Sequence, residues 1–275
     1  GPNLTPKGVL GLLERHRVTV TAGVPTIWLG ALPLLKDYDL SAVQRILCGG
    51  SAVPRSLSEA YRKAGVPILH AWGMTETSPV ATVATSRTWD DALDDDARAD
   101  ARVRQGQPVP LVELRLIDPV TGEIVPCDDE TSGEIQAAGP WIASQYFRDE
   151  SGATQFTDDG WFRTGDVATV DRHGSIKIVD RTKDLVKSGG EWISSVQLEN
   201  AIMSHPKVVE AAVIGVPHPQ WVERPLACVV VEPGETLTAA DVRAHLEPLV
   251  ARWWLPDAVE FIDEVPKTSV GKFSK

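Results

Sequence analysis

Apolar residues in "VLGLLERHR" (9–17) recur at helical spacing. The β-branched run "VTVTAGVP" (18–25) and the helix-like "TIWLGALPLL" (26–35) follow. The alternation repeats. "VQRILCGG" (43–50) predicts a strand ending in a glycine turn, "PRSLSEAYRKAG" (54–65) a helix opened by Pro54 and stopped by Gly65, and "PILHAWG" (67–73) the next strand. Strand and helix taking turns predict a parallel α/β layer up to about residue 85.

Past the acidic stretch "DDALDDDARAD" (90–100) the period changes. "VELRLIDP", "GEIQAAG" and "SIKIVD" alternate with period two and are separated by the turn signals "TGE" and "DRHG", which predicts an antiparallel, barrel-like subdomain. A third texture begins near residue 181: helix "SSVQLENAIMSH" (194–205), strands at 208–217 and 225–233, helix "TAADVRAHLEPLV" (238–250) and strand "AVEFID" (258–263). The fold class expected is therefore α/β plus α+β. Residues 1–180 form one part, an α/β layer over 1–90 and a small β-barrel subdomain over 100–180, and residues 181–275 form a small α+β domain. No internal repeat or low-complexity linker interrupts them.

Composition narrows the function classes. A net charge of −11 with no run of Lys or Arg argues against a nucleic-acid partner. Cys48, Cys127 and Cys228 are far apart and lack CxxC spacing, so a reducing compartment without structural zinc is expected. No segment has the ~18–20 consecutive apolar residues of a membrane span, and the start lacks a basic stretch followed by an apolar one, so the expected location is the cytoplasm.

Several loops concentrate chemistry. "CGGSAVP" (48–54) opens a strand edge into paired glycines, where a flat ligand can lie against the backbone; a tight strand-to-helix turn would use the same residues. "AWGMTETSPV" (71–80) crowds Trp72, Gly73, Thr75 and Glu76 after the next strand of the same layer, at the carboxyl edge where ligands bind, although Thr75 and Glu76 also suit a helix start. "WFRTGDVATVDRHGSIKIVDRTKD" (161–184) supplies Asp166 and Arg181, a carboxylate able to accept from vicinal hydroxyls and a guanidinium able to donate. "VKSGGEWIS" (186–194) adds a second paired-glycine loop beside Glu191, and "VPKTSVGKFSK" (265–275) sets Lys272 beside Gly271.

In this order and at these separations, "CGGSAVP", "WGMTETSP", "WFRTGD", "DRTKDLVKSGGEWIS" and "PKTSVGK" resemble successive core motifs of the adenylate-forming (AMP-binding) superfamily, with the flavour of its fatty-acyl-CoA synthetases. The resemblance covers essentially the whole sequence but only the later part of the family's usual length. The family's Ser/Thr/Gly-rich phosphate loop ending in Lys-Gly is not found among these residues, so the expectation is a carboxyl-terminal half that is inactive alone.

The resemblance implies a role for each motif. Gly49, Gly50 and Ser51 would lie along the adenine of ATP or AMP, with Ala71, Trp72 and Gly73 flanking it and Trp in place of the commoner Tyr. Thr75 would bind phosphate oxygens and Glu76 would help hold Mg²⁺. Asp166 would hold the ribose hydroxyls with Arg181, Asp180 would occupy the hinge, and Lys272 would reach the α-phosphate and carboxylate during adenylation. Gly189, Gly190 and Glu191 would border the coenzyme A channel after the small domain rotates. An Arg that acetyl-type relatives often carry near there is replaced by Trp192.

The expected function is ATP-dependent activation of a medium- or long-chain fatty acid and its transfer to coenzyme A. Small and apolar residues in "TAGVPTIW" and "ETSPVATV" suit an alkyl or aryl tail. An aryl- or methylthioalkanoate-CoA ligase is the enzyme alternative, and a non-catalytic nucleotide-binding or interaction fragment the alternative of another class. A homodimer stays open.

Overall fold

The computed structural model describes residues 5–119, 121–149, 151–189 and 191–266. The chain divides into two compact units, one made of Gly1–Thr164 with Ala168–Ile178 and the other of Gly165–Val167 with Val179–Lys275.

In the first unit, helix α1 (Pro6–Arg15) starts where Pro6 presets φ and the Thr5 hydroxyl accepts the Gly8 N–H at 3.3 Å. Strand β1 (Val20–Gly23), helix α2 (Pro25–Ala31), strand β2 (Arg45–Cys48), helix α3 (Arg55–Lys63) and strand β3 (Ile68–Trp72) follow. The three strands pair in parallel, as the alternation predicts. The helix expected over 26–35 stops at Ala31, and Leu32–Asp37 tightens into a 3₁₀ turn. Pro33 has no N–H for a continuing α-helix and its ring would clash with the preceding turn. Leu10, Leu13, Trp28, Ile46, Leu57 and Tyr61 build the core of this layer, and the Tyr61 hydroxyl donates to the Trp28 carbonyl at 2.8 Å.

The layer is not parallel throughout. Strand β4 (Thr82–Val83) runs antiparallel to β3, because the loop over 73–81 is too short for the crossover that a parallel neighbour requires. The acidic stretch forms helix α4 (Asp95–Val103), whose N-cap Asp94 accepts the Ala97 N–H at 2.8 Å and whose first turn carries Asp95 and Asp96, acids that suit a helix amino end. Arg55 of α3 pairs with Asp96 at 2.5 Å and Asp100 at 2.8 Å, and Arg102 pairs with Glu59 at 2.5 Å. The acids thus dock α4 on α3. Strand β5 (Gln107–Pro108) then joins β4 antiparallel.

Strands β6 (Glu113–Ile117), β7 (Gly133–Ala138), β8 (Phe162–Val170) and β9 (Ile176–Arg181) form a sheet in that order. The expected barrel is corrected here. Among the described residues the sheet is open, with β6 and β9 at its edges, since four strands at barrel tilt would enclose no room for side chains. The β9 edge is met instead by a bridge from Gly106 to Ile176 and by the Gln105 side chain, which accepts the Ile178 N–H at 2.7 Å. Trp72, Val112, Leu116, Ile135, Val170 and Ile176 share the core over this sheet.

In the second unit, strands β10 (Val186–Ser188) and β11 (Glu191–Ile193) form a hairpin, followed by helix α5 (Ser195–Met203), strands β12 (Val208–His218) and β13 (Val222–Val231), helix α6 (Ala239–Leu246) and strand β14 (Ala258–Phe261). The sheet order is β11-β10-β13-β12, with β14 parallel to β13. Ile193, Leu198, Ile202, Val213, Val229, Val242 and Leu246 fill its core. Both helices start on side-chain caps, Ser194 for α5 and a Thr238–Asp241 box for α6.

Candidate functional site

At the carboxyl ends of β1, β2 and β3 the backbone is crowded enough to require glycine. A Cβ on Gly49 would sit 2.4 Å from the Ala71 carbonyl oxygen, so β2 and β3 can approach this closely only without a side chain there. Gly50 has φ +85°, the left-handed region that glycine enters freely. Together they turn the chain away from β2, with Gly49 against Ala71 and Gly50 near Val24. The adjoining Cys48 is buried, and burial pushes its thiol up to about 12, so it is a core residue rather than a nucleophile at neutral pH.

His70 of β3 lies behind this loop. Its Nδ1 is 2.8 Å from the Val103 carbonyl, and it also shares a backbone hydrogen bond with Ser51. Burial pushes its pKa below the ordinary imidazole value and outweighs the two backbone bonds, which favour the proton. In the unfolded chain the ring takes up a proton near pH ~6.5, whereas in the folded chain it does so only at lower pH. The unfolded state therefore binds more protons in that window, and stability falls as pH drops below about 6.5. Denaturation midpoints should decline from pH 7 to pH 5, and His70→Gln should flatten that decline; an unchanged slope in the variant would place the effect elsewhere.

The loop after β3 is folded back on itself. A Cβ on Gly73 would lie 2.0 Å from the Pro79 carbonyl oxygen and 2.7 Å from Thr77 Oγ1. The buried Thr77 hydroxyl accepts the Met74 N–H at 2.9 Å and lies 3.0 Å from the Pro79 carbonyl, so Thr77 holds the loop's shape. Thr75 is exposed and caps nothing. Its hydroxyl has no hydrogen-bond partner among the described residues, and the 3₁₀ turn Thr75–Thr77 has Met74 as its N-cap. Glu76 is half-buried, its carbonyl accepts the Ala143 N–H at 2.8 Å, and its Oε1 accepts the Tyr146 hydroxyl at 2.8 Å. Trp72 is only 7% exposed and belongs to the core over the β6–β9 sheet, which fixes its ring plane.

In the second unit, Asp166 of β8 and Arg181 of β9 meet, with the guanidinium Nε donating to Oδ1 at 3.1 Å. Asp166 is buried while the Arg181 side chain is half exposed. Asp180 next door is also buried, and it caps α5: Oδ2 accepts the Ser195 N–H at 2.5 Å and the Val196 N–H at 3.3 Å, while Oδ1 accepts the Arg181 N–H at 2.7 Å. Removing it leaves those donors unsatisfied in a buried place. Asp180→Ala should therefore destabilise this unit by about 2–4 kcal/mol in chemical denaturation; a loss below about 0.5 kcal/mol would contradict the capping account.

In the "KSGGEW" segment Lys187 and Ser188 end β10, and Glu191 and Trp192 begin β11. Gly189 has φ +63°, donates its N–H to the Trp221 carbonyl at 2.9 Å, and would bring a Cβ to 2.9 Å from the Trp221 ring. Glu191 is exposed, and Lys187 Nζ lies 5.3 Å from the Trp192 ring centroid, a cation–π contact. Gly190 and Lys272 lie outside the described residues. Sequence reasoning overlooked Thr77, Tyr146 and Trp221. Thr77 could have been noticed as a second hydroxyl two places from Thr75, but Tyr146 and Trp221 carry no local signal.

Parallel strands with a glycine-lined carboxyl edge, followed by an α+β unit, define the class as α/β plus α+β. A family model described as "AMP-binding enzyme" matches residues 1–147, and a second, "AMP-binding enzyme C-terminal domain", matches residues 197–272. The chain belongs to the AMP-binding enzyme family. It is 46% identical over 279 aligned residues to a long-chain-fatty-acid–CoA ligase of Thermus thermophilus, covering 100% of this chain and 51% of that one. It is 44% identical over 278 to a 3-methylmercaptopropionyl-CoA ligase of Ruegeria pomeroyi, with coverage of 100% and 51%. The crystal structure of ATP-bound MatB from Rhodopseudomonas palustris superposes with a TM-score of 0.81 at 33% identity, covering 99% of this chain and 52% of that one. The chain thus spans about half the length of the curated relatives it matches. Among the described residues no helix is long and apolar enough to cross a membrane.

Proposed function

We propose that the protein carrying this chain is an acid–CoA ligase that works through an acyl-adenylate, and that its acid is a medium- or long-chain fatty acid. The observation that carries the reading is the loop after β3, where Thr75 offers an unengaged hydroxyl and Glu76 a carboxylate beside the glycine edge of the parallel strands. Kinship with a fatty-acid–CoA ligase at 46% identity supports the acid class.

In the first step a carboxylate oxygen attacks the α-phosphorus of ATP and pyrophosphate leaves. In the second, the coenzyme A sulfur attacks the acyl carbon and AMP leaves. The backbone of Gly49, Gly50 and Ser51 gives adenine a flat surface, beside Ala71, Trp72 and Gly73. Thr75 donates to a phosphate oxygen, and Asp166, held by Arg181, accepts from the ribose hydroxyls. Lys272 supplies positive charge where negative charge develops in adenylation. Gly189, Gly190 and Glu191 border the thiol's path in the second step, with Asp180 at the hinge where the domain over 181–275 turns on residues 1–180.

Magnesium fits the donor set. Glu76 Oε2 accepts no hydrogen bond among the described residues, and carboxylate oxygens are the hard donors Mg²⁺ takes together with phosphates and water. No group of three or more His, Cys, Asp or Glu among the described residues could hold a metal. When bound, it neutralises phosphate charge. A cytoplasmic location accompanies this reading.

The 44% identity to a 3-methylmercaptopropionyl-CoA ligase favours a second reading with a short sulfur-containing acid. One methylene changes such a pocket's preference by only about 1–3 kcal/mol, so an acid panel is the appropriate test. With the protein expressed from its complete reading frame, coenzyme A and ATP, octanoate or palmitate should give the highest kcat/KM. Thioester from 3-methylthiopropionate or ferulate alone would overturn the fatty-acid assignment.

A further inference from the structure

Glu76 is tied to a segment some seventy residues away by more than its backbone. The Ser78 hydroxyl donates to the Trp141 carbonyl at 2.9 Å, the Ala143 N–H donates to the Glu76 carbonyl at 2.8 Å, and the Tyr146 hydroxyl donates to Glu76 Oε1 at 2.8 Å. The first two bonds fix where the loop runs. The third fixes the carboxylate itself.

Tyr146 is in turn held firmly. Its ring meets Phe156 edge-on with centroids 5.9 Å apart, and Phe156 lies 5.3 Å from Phe162, which is buried at the start of β8. A Cβ on Gly152 would come within 2.5 Å of Tyr146 Cδ2, so the ring occupies space that only glycine leaves open. Three aromatic rings and one glycine therefore aim a single hydroxyl. A Phe at 146 would preserve all of this packing, so the position is separable into a ring that packs and a hydroxyl that points at Glu76.

Resting on the proposed role of Glu76, we propose that Tyr146 is its positioning residue: the phenol hydroxyl occupies Oε1, locks the rotamer and leaves Oε2 to the divalent cation that accompanies ATP. A carboxylate free to rotate would lose part of its affinity to the entropy of being fixed at each binding event. Tyr146 need not touch ATP, the acid or the metal.

The test compares Tyr146→Phe, Glu76→Gln and the double variant in the protein from its complete reading frame. Two readouts are taken: the Mg²⁺ concentration giving half-maximal acid-dependent ATP–pyrophosphate exchange, and Mn²⁺ binding in the presence of ATP, followed by electron paramagnetic resonance. Tyr146→Phe should raise the metal requirement and weaken Mn²⁺ binding about tenfold, with kcat at saturating metal within about twofold. Thioester formation from preformed acyl-adenylate should be unchanged. The double variant should be no worse than Glu76→Gln alone. Unchanged metal dependence in Tyr146→Phe beside a defective Glu76→Gln would overturn the role of Tyr146 and leave that of Glu76 standing. If neither variant alters it, the assignment of Glu76 fails and the inference with it. Equal losses in both half-reactions would make Tyr146 a structural residue only.

Discussion

Lys272→Ala, in the protein expressed from its complete reading frame, should lower the rate of acyl-adenylate formation by about a hundred- to a thousandfold, while coenzyme A still discharges preformed acyl-adenylate at nearly the native rate. The size follows from removing one fixed charge from the point where charge develops. The asymmetry follows from the proposed domain alternation, in which the segment "PKTSVGK" serves the first step and the segment "KSGGEW" serves the second. Single-turnover measurements of each half-reaction separate the two. Equal loss in both steps would remove the alternation from the account, and an unaffected first step would remove Lys272 from the site.

Gly49→Ala should damage the first unit through the addition of a single methyl group. The added carbon would lie 2.4 Å from the Ala71 carbonyl oxygen, and a main-chain atom in a parallel sheet cannot swing aside as a flexible side chain can. Either β3 or the glycine loop must shift. Forced repacking of this kind costs about 1–3 kcal/mol, and the displaced loop should weaken nucleotide binding at least tenfold. Gly11→Ala is the control: its Cβ would meet only Tyr38 Cε1 at an ordinary 3.9 Å, within helix α1, where alanine is the better helix former. Urea denaturation and AMP titration of both variants should separate them. A Gly49→Ala protein as stable and as tight-binding as the control would contradict the close approach of β2 and β3.

The elements most legible in the sequence are those whose burial is one-sided. The face of α1 carrying Leu10 and Leu13 states its own secondary structure because one side meets a core and the other meets water. Strand β8 is different. Its last five residues are all buried, so no alternation marks it, and Thr164, Gly165 and Asp166 in its middle read as a turn. Helix α4 is hidden for the opposite reason, since Ala99 is its only buried residue and ion pairs to Arg55 and Glu59 replace an apolar stripe. The β10–β11 hairpin is too short for any period to register.

The candidate site divides in the same way. The glycines at 49, 50 and 73 are visible in the sequence because backbone crowding leaves one residue type, and the geometry gives each a steric or conformational reason. Asp166 and Arg181, which the resemblance pairs around a ribose, lie on adjacent strands that bring them into contact. The resemblance alone gives Asp180 a hinge position, and its hydrogen bonds to the start of α5 add a capping role that no neighbouring residue announces. Tyr146 was invisible, because its partner is Glu76 and nothing in "ASQYFRD" marks a tyrosine that reaches across the fold to a carboxylate.

Activation of the acid as an adenylate leaves a trace in the oxygen atoms of the products. A fatty acid labelled with ¹⁸O in both carboxylate oxygens is incubated with ATP, coenzyme A and the protein from its complete reading frame, and the nucleotide product is weighed by mass spectrometry. An acyl-adenylate route leaves one carboxylate oxygen on phosphorus when the thiol displaces AMP, so AMP should carry one ¹⁸O and inorganic phosphate none. Label in inorganic phosphate with ADP as the nucleotide product would mean an acyl-phosphate route, and unlabelled AMP would mean that ATP cleavage is not coupled to the acid; either result would contradict the account.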